Sequence, residues 1–298
     1  MKIRIGFGLG TRSQTTDPDR FVALVQDLER LGFDSLWVSD RLSGEAPDPV
    51  VAMTMAAANT TRMKFGMSVM VLPGRNPVVV AKQLASLDRM SKGRLLPAFG
   101  LGAAEAVEHQ AFGVRREERA KIFDEALPLI RRLWSGEPVD HDGEHFHLEG
   151  VRVLPRPVQD PLEVWMGGVA PSELRRVGRL GDGWLPSFCT PAEVGEGIAT
   201  IRQVAADHER EIEEEHYGVL LAYAHGELPP AIAAFLQRRR PELDPSEIIP
   251  VGFDALADRI RAFTEVGASK FVVLPLVEPA TWGDELEALA EAVLPLEN

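Results

Sequence analysis

The sequence predicts an α/β fold, in which eight parallel strands alternate with helices and close into an eight-stranded (β/α)8 TIM barrel. Short β-branched or apolar runs alternate with longer amphipathic stretches along the whole chain, and eight such pairs can be counted. The length of 298 residues suits one barrel, so a single domain covering residues 1–298 is expected. An open doubly wound sheet would also alternate, but neither residues 6–11 nor residues 100–102 complete the glycine fingerprint of a dinucleotide-binding sheet.

Each predicted strand is a short apolar run that leads towards its own helix. The first helix begins after Asp17-Pro18, where the aspartate can cap and the proline can start a helix, and it ends at Gly32. Later helices are predicted to start at prolines 49, 77, 171 and 191, and a long helix is predicted over residues 116–134. In chain order the predicted strands cover residues 3–9, 35–39, 64–72, 94–101, 162–166, 183–188, 217–224 and 270–276.

Two stretches are longer than a plain barrel needs. Residues 135–159 contain short alternating segments around a turn-forming Asp-Gly, which predicts a hairpin inserted before strand five. Residues 227–250 predict a helical insertion before the seventh helix. We expect these insertions, with the loop after strand seven, to form the wall of the substrate site.

The composition is typical of a globular enzyme and excludes several classes of function. A net charge of −13 and a pI near 5.1 argue against nucleic-acid binding, which needs a basic surface. The longest strongly apolar run, near residues 49–58, is too short to span a bilayer, and the N-terminus has no signal-peptide core. Cys189 is the one cysteine, so there is no internal disulfide and no thiolate metal cluster. We therefore expect a cytoplasmic protein.

A barrel of this type carries its active site at the mouth formed by the carboxyl ends of the strands. No Ser-His-Asp or Cys-His set in a known spacing occurs there, and Cys189 has no neighbouring base that would make it a nucleophile. The loops at the predicted mouth contain residues 8–11, 40–41, 68–73, 100–105, 167–168, 185–189 and 225.

The clearest anion-binding signal is the segment 166–172, in which Gly167 and Gly168 end a strand directly before a helix. A backbone without Cβ atoms can approach a phosphate closely, and a helix N-terminus offers N–H groups with a partial positive charge. The same segment is compatible with a tight turn that binds nothing. Both interpretations stay open on these residues alone.

Three further groups of residues have a functional and a structural interpretation. Asp40 and Arg41 end strand two, where they either orient a ligand or form a solvated pair. Trp184 and Phe188 fall on one side of strand six, where they either wall a ring cofactor or fill the barrel. The histidines of segment 141–147 alternate as metal ligands can, but the Asp-Gly turn favours a solvated hairpin, and no metal is predicted.

Seven sequence segments, which together span most of residues 1–190, form a specific set. They are LGFDSLWVSD at 31–40, PVVVAKQLASLDRMSKGR at 77–94, EHQAFGV at 108–114, EALPLIRRLW at 125–134, PRPVQ at 155–159, MGG at 166–168 and LGDGWLP at 180–186. With these segments the whole chain resembles the bacterial luciferase-like family of flavin- and deazaflavin-dependent oxidoreductases. The last hundred residues resemble the family in architecture only.

The resemblance implies a cofactor at the barrel mouth, either coenzyme F420, which we prefer, or FMN. Gly167 and Gly168 would hold its phosphate, and Asp40 would hydrogen-bond the polar edge of its ring. The resemblance also implies a bulge behind the ring, with a non-proline cis peptide bond at Ser68–Val69. By position, the implied cofactor-binding residues are Asp40, Ser68, Val69, Met70, Gly100, Gly102, Gly167, Gly168, Val169 and Trp184.

The chain departs from the F420-dependent sugar-phosphate dehydrogenases of the family at three positions. Several F420-dependent relatives have histidine directly after the equivalent of Asp40 and a tryptophan a few positions later, where this chain has Arg41 and no such tryptophan. Some have an acidic glutamate near the equivalent of Ala103, whereas the nearest one here is Glu105. Arginine stays protonated at ordinary pH, so Arg41 would not shuttle a proton. Asp40 and Arg41 remain the predicted catalytic residues, with Arg41 stabilising negative charge on the ring or substrate.

Three functions are compatible with this sequence. The preferred one is F420-dependent hydride transfer on a small organic substrate, and the others are an FMN-dependent monooxygenase that uses oxygen and a flavin-binding barrel without turnover. An anionic F420 tail would need a basic groove beyond the phosphate, for which Arg175 and Arg176 are candidates. Besides the substrate, a homodimer is a possible assembly, because the Ala-, Met- and Val-lined segment 50–58 either buries against a second copy of the chain or packs against the barrel.

Overall fold

The computed structural model describes residues 1–11, 16–103 and 105–298, and it has the predicted α/β fold with parallel sheets. Its strands are β1 Arg4–Leu9, β2 Ser35–Val38, β3 Lys64–Met67, β4 Met70–Val71, β5 Leu95–Leu96, β6 Ala98–Gly100, β7 Val139–Asp142, β8 His147–Val151, β9 Trp165–Met166, β10 Gly183–Trp184, β11 Gly218–Tyr223 and β12 Lys270–Pro275. Its α-helices are α1 Pro18–Leu31, α2 Pro49–Asn59, α3 Pro77–Met90, α4 Ala106–Phe112, α5 Arg119–Trp134, α6 Pro171–Leu180, α7 Pro191–Asp207, α8 Pro230–Arg239, α9 Pro245–Ile248, α10 Phe253–Glu265 and α11 Trp282–Val293.

The strands form two parallel sheets and a hairpin. One sheet has six strands in the order β11-β12-β1-β2-β3-β5, and the other has four in the order β10-β9-β6-β4. Strands β7 and β8 pair antiparallel. Within the described residues the hydrogen-bonded ladders do not join into one closed barrel, so the predicted eight-stranded closure is absent as a continuous ladder.

Two of the predicted strands are each broken into two. The run 64–72 becomes β3 and β4, which flank a cis peptide bond at Ser68–Val69, and the bond implied by the resemblance is thereby confirmed. The run 94–101 becomes β5 and β6, with Pro97 between them. Proline has no N–H to donate to a ladder, which explains the break, although the Pro97 carbonyl still accepts from the Trp165 N–H at 2.8 Å.

The helices begin where capping residues precede proline. Asp17 accepts a hydrogen bond from the Arg20 N–H at 2.9 Å, and α1 ends at Gly32, whose φ is 100°. The side chains of Asp48 and Asn76 cap α2 and α3 in the same way. The predicted helix over 116–134 is shorter, since α5 begins at residue 119, and the preceding α4 was predicted as loop.

Both predicted insertions contain the expected kind of structure. The segment 135–159 holds the β7–β8 hairpin, and the segment 227–250 holds α8 and α9. Arg240 ties the helical insertion to the start of α7, because its Nη2 lies 2.5 Å from Glu193 Oε1. The same side chain donates to the Phe188 carbonyl at 3.2 Å.

The parallel strands are buried on both faces. On β12, Phe271 and Val273 belong to the main core between strands and helices, whereas Val272 belongs to a second apolar cluster. This second cluster combines residues from both parallel sheets, so the two sheets enclose it. Val69, which lines the cavity described below, packs against this cluster. The buried members of the cluster are Trp37, Ala98, Trp165, Leu185 and Val272.

Candidate active site

A cavity of about 270 Å³ opens at the carboxyl ends of the parallel strands, where α/β folds carry their active sites. Its volume is near the lower end, roughly 300 Å³, of the range for small-molecule sites. Segments following β1, β2, β3, β6 and β9 form its walls, together with side chains from α5 and α6. The predicted site residues that line it are Asp40, Ser68, Val69, Gly100, Gly102, Gly167 and Gly168.

Asp40 follows β2 and is held in place by the loop before α3. Its Oδ2 accepts from the Val71 N–H at 2.9 Å and from Arg75 Nη2 at 2.8 Å. Burial raises the pKa of Asp40, and the Arg75 guanidinium and the Val71 N–H act against this rise without cancelling it. Sequence reasoning missed Arg75, which orients the carboxylate and packs 5.6 Å from the centre of the Phe112 ring.

Ser68 and Val69 line the cavity beside Gly100. The Ser68 hydroxyl oxygen is buried and forms no hydrogen bond within the described part of the chain. Leaving such a group without a partner costs stability, unless a ligand or water satisfies it. A Cβ atom at Gly100 would overlap Cγ2 of Val69, so glycine is required for the close approach of these segments. The orphaned hydroxyl belongs to a residue that lines the cavity, and it fits a ring that brings its own hydrogen-bonding group.

Gly167 and Gly168 lie between β9 and the N-terminus of α6, as predicted. Gly168 has φ 99°, in the left-handed region that favours glycine. The N–H groups of Val169 and Ala170 are already bound, because both donate to Glu173 Oε2, at 3.0 and 2.9 Å. The groups expected to hold a phosphate are therefore engaged by a side chain from the same helix, and the Val169 side chain is exposed outside the lining.

Trp184 and Met70 do not face the cavity, which corrects their predicted placement. The Trp184 side chain is buried against α7, where a Cβ at Gly197 would overlap its ring. Alternation along the strand explains this, since the next residue, Leu185, points to the inner cluster instead. Trp184 contacts the site indirectly, because its Nε1 donates to the carbonyl of Gly168, which lines the cavity, at 2.8 Å. Met70 is buried in the main core.

Arg41 follows Asp40 but does not line the cavity, and it forms ion pairs with Glu105 and Glu108. Glu108 is almost fully buried and also accepts from the N–H groups of Leu42 and Ser43, at 3.3 and 3.0 Å. Burial acts to raise the pKa of Glu108. The two backbone hydrogen bonds, a third hydrogen bond from the Ser43 hydroxyl and the positive charge of Arg41 together outweigh burial, so the pKa is lowered. Arg41 therefore joins the loop after β2 to α4, which corrects its predicted placement in the mouth.

One arginine lines the cavity and another supports its wall. Arg176, which the sequence suggests as a group that binds an anionic tail, lines the cavity, whereas Arg175 is exposed. The Arg176 Nε donates to Asp124 at 2.5 Å, and its guanidinium lies 5.7 Å from the centre of the Phe123 ring. Arg119, which sequence reasoning missed, donates to the carbonyl of Gly102 at 3.1 Å and fixes the segment after β6.

The remaining candidate residues lie outside this cavity. His141 Nε2 is 2.9 Å from Glu125 Oε1, and His147 Nδ1 is 2.8 Å from Asp142 Oδ1. Over residues 1–11, 16–103 and 105–298, no group of three or more His, Cys, Asp or Glu side chains is arranged to hold a metal ion. None of the helices in those residues has the length and apolar character needed to cross a membrane.

Comparison with curated proteins identifies a relative from Gordonia bronchialis that is named an F420-dependent glucose-6-phosphate dehydrogenase. It is 31% identical over 227 residues, which make up 72% of this chain and 66% of the relative. Matches to the first such relatives cover between 52% and 66% of their own lengths. The chain therefore corresponds to part of each of these proteins.

Solved structures with the same fold include an F420-dependent secondary alcohol dehydrogenase in complex with an F420–acetone adduct. It has a TM-score of 0.82 at 20% identity, and the match covers 100% of both chains. The oxygenating constituent of 3,6-diketocamphane monooxygenase from Pseudomonas putida, in complex with FMN, has a TM-score of 0.79 at 17% identity, covering 100% of this chain and 99% of the other. These likenesses show a common fold. The model of the luciferase-like monooxygenase family matches residues 2–234, and this chain belongs to that family.

Proposed function

We propose that this chain is an oxidoreductase that binds F420 in the cavity and transfers a hydride to or from a small organic substrate. The observation that carries the proposal is the buried Ser68 hydroxyl, which lacks a partner within the described residues and lies beside the close approach at Gly100. A flavin-type ring would bring the missing hydrogen-bonding group to this position. Family membership and the F420-dependent relatives support this choice of cofactor.

In this proposal F420 would supply the redox chemistry, accepting a hydride from the substrate or donating one to it, and the chain's own residues bind and orient it. Ser68 and Val69 contact the ring, and Gly100 and Gly102 leave room for the side chains of Val69 and Val71. Asp40 is held in one orientation by Arg75 and accepts a hydrogen bond from the ring's polar edge. Gly167, Gly168 and the neighbouring N–H groups hold the phosphate. Arg41, which is paired with Glu105 and Glu108 outside the cavity lining, positions the loop that follows Asp40.

We also propose that the two parallel sheets belong to one eight-position barrel and one domain, residues 1–298. Isolated parallel bridges connect Trp184 to Tyr217 and Ser187 to Leu220, so the β10 edge of the small sheet meets the β11 edge of the large one. At the other junction, β3 continues into β4 and β5 into β6. The eight positions are then β1, β2, β3–β4, β5–β6, β9, β10, β11 and β12.

FMN-dependent monooxygenation is the second candidate, because the family model is named for monooxygenases and one similar fold holds FMN. Both cofactors would use the same ring and phosphate contacts. F420 differs by its anionic tail, which Arg176 would meet at the end of the cavity. Because Arg176 is already paired with Asp124, the preference for F420 rests mainly on the F420-dependent relatives.

Binding and turnover measurements separate these candidates. Either cofactor, added at about a hundred times its dissociation constant, should stabilise the protein by roughly 2.7 kcal/mol. We expect F420 to bind and to be reduced by a panel of alcohols and sugar phosphates without oxygen uptake. Oxygen uptake with reduced FMN would favour the monooxygenase, and binding without turnover would indicate a carrier or sensor. No thermal shift with either compound would contradict the cofactor assignment.

A further inference from the structure

Glu173 occupies the part of the cavity that a cofactor phosphate would take. It is the third residue of α6 and lines the cavity together with Arg176. Its Oε2 accepts from the N–H groups of Val169 and Ala170, at 3.0 and 2.9 Å. Ala170 is the N-cap and has no side-chain acceptor of its own, so the cap is provided by Glu173.

A phosphate needs the same donors and the same end of the helix dipole. A carboxylate and a phosphate are both negatively charged acceptors, and two like charges about 4 Å apart repel each other strongly at a partly buried site. The Glu173 carboxyl also packs directly on the loop, since a Cβ at Gly168 would lie 2.6 Å from its Cδ atom. The two anions therefore cannot occupy this loop together.

We propose that Glu173 is an internal competitor for the cofactor phosphate, and that its carboxylate leaves the N–H groups of Val169 and Ala170 when the cofactor binds. This inference rests on the proposed function, because the phosphate is that of the cofactor. A free phosphate ion brings no ring contacts with which to displace the carboxylate. Glu173 thus selects ligands that carry both a ring and a phosphate over small anions.

The test is Glu173→Gln, which keeps a hydrogen-bond acceptor of the same size and removes the charge. The matched control is Glu247→Gln, because Glu247 caps α9 by accepting from the Asp244 N–H at 2.9 Å and lies outside the cavity lining. Dissociation constants are measured for FMN against riboflavin, and for F420 against its phosphate-free deazaflavin. We expect Glu173→Gln to tighten binding of the phosphate-bearing cofactor at least about tenfold and to leave the phosphate-free ring unchanged. Glu247→Gln should change neither.

Inorganic phosphate gives a readout that does not depend on the cofactor. We expect it to raise the unfolding temperature of Glu173→Gln and not that of the parent protein. Equal effects on FMN and riboflavin, or weaker binding of the phosphate-bearing cofactor, would overturn the competitor role. If no ring compound binds any form, the proposed function fails, whereas a phosphate-dependent shift confined to Glu173→Gln would still support the competition. If no ring compound binds and phosphate does not raise the unfolding temperature of Glu173→Gln either, both the proposed function and the competitor role are wrong.

Discussion

The Ser68 hydroxyl allows ligand binding to be separated from folding at a single residue. Because its oxygen has no hydrogen bond within the described chain, Ser68→Ala removes no contact seen there and relieves the burial of a polar group. We expect the free protein to keep its stability or to gain up to about 1 kcal/mol. Cofactor affinity should fall about three- to tenfold, since one hydrogen bond contributes roughly 0.5–1.5 kcal/mol. Urea unfolding and calorimetric titration measure the two quantities.

Ser91→Ala should give the opposite pattern and serves as the control. Its hydroxyl is buried and donates to the Asp88 carbonyl at 3.0 Å, outside the cavity lining. The variant should lose stability and bind the cofactor normally. If Ser68→Ala instead lost stability while binding the cofactor normally, the hydroxyl would be structural and the proposed ring contact would be wrong.

Glu108 determines part of the response of the free protein to acid. Burial acts to raise its pKa, but the hydrogen bonds from Ser43 and Leu42 outweigh it and lower the pKa. A carboxyl with a lowered pKa in the folded state stabilises the fold above its unfolded pKa, about 4.3, and this stabilisation is lost as pH falls through the folded pKa. We expect Glu108→Gln to lower the free energy of unfolding by about 1–3 kcal/mol at neutral pH. The variant should also lose less of its stability than the parent protein when the pH falls below about 5. Urea unfolding of both proteins across this range checks the prediction, and parallel profiles would contradict it.

The positions of residues that follow a strand were predictable, and contacts made across the fold were not. Asp40, Gly167 and Gly168 follow strands, as the alternation of strands and helices indicates, while their roles come from the resemblance and stay predictions. The contact of Arg75 with Asp40 depends on side-chain direction, which spacing does not determine. Glu173 did leave a signal, because a glutamate at the third helical position typically accepts from the N-cap N–H.

At the scale of elements, Trp184 connects β10 to the loop before α6. Trp184→Phe keeps an aromatic ring and removes the donor to the Gly168 carbonyl. We expect a stability loss of about 1–3 kcal/mol and a loosened phosphate loop, so FMN binding should weaken more than riboflavin binding. Trp134→Phe is the matched control, because this indole donates to the Ala81 carbonyl at 3.0 Å and neither residue lines the cavity. Equal weakening of both ligands by Trp184→Phe would mean that the loop position does not depend on this bond.

Helix starts were predicted more closely than strand extents, for a physical reason. Proline after a capping residue marks a helix start locally, as at Asp17, Asp48 and Asn76. A strand ends where its ladder ends, and apolar composition does not report that position, so β9 and β10 are much shorter than predicted. Helix α4 was missed because a tertiary contact supports it, in which Glu108 accepts from the backbone of the loop after β2.

At the scale of the whole molecule, neighbouring helices α2 and α3 leave apolar side chains in solvent. Val51 is 64% exposed, Val79 52% and Met90 83%. Val79 and Met90 are about three turns apart on α3 and therefore lie on one face. Exposed apolar side chains grouped on adjacent helices are typical of protein–protein interfaces. We therefore expect this surface of α2 and α3 to be buried in a homodimer.

The double variant Val51→Glu, Val79→Glu tests this assembly. Each carboxylate would be buried without a partner in the interface, so the dissociation constant of the dimer should rise at least about a hundredfold. Both positions are exposed in a single chain, so the stability of the fold should change by no more than about 0.5 kcal/mol. Light scattering over a concentration series gives the mass, and Val277→Glu, 58% exposed after β12, is the control that should remain a dimer. A parent protein that stays monomeric at every concentration would contradict the homodimer, and a double variant that stays dimeric would show that the subunits meet through another surface.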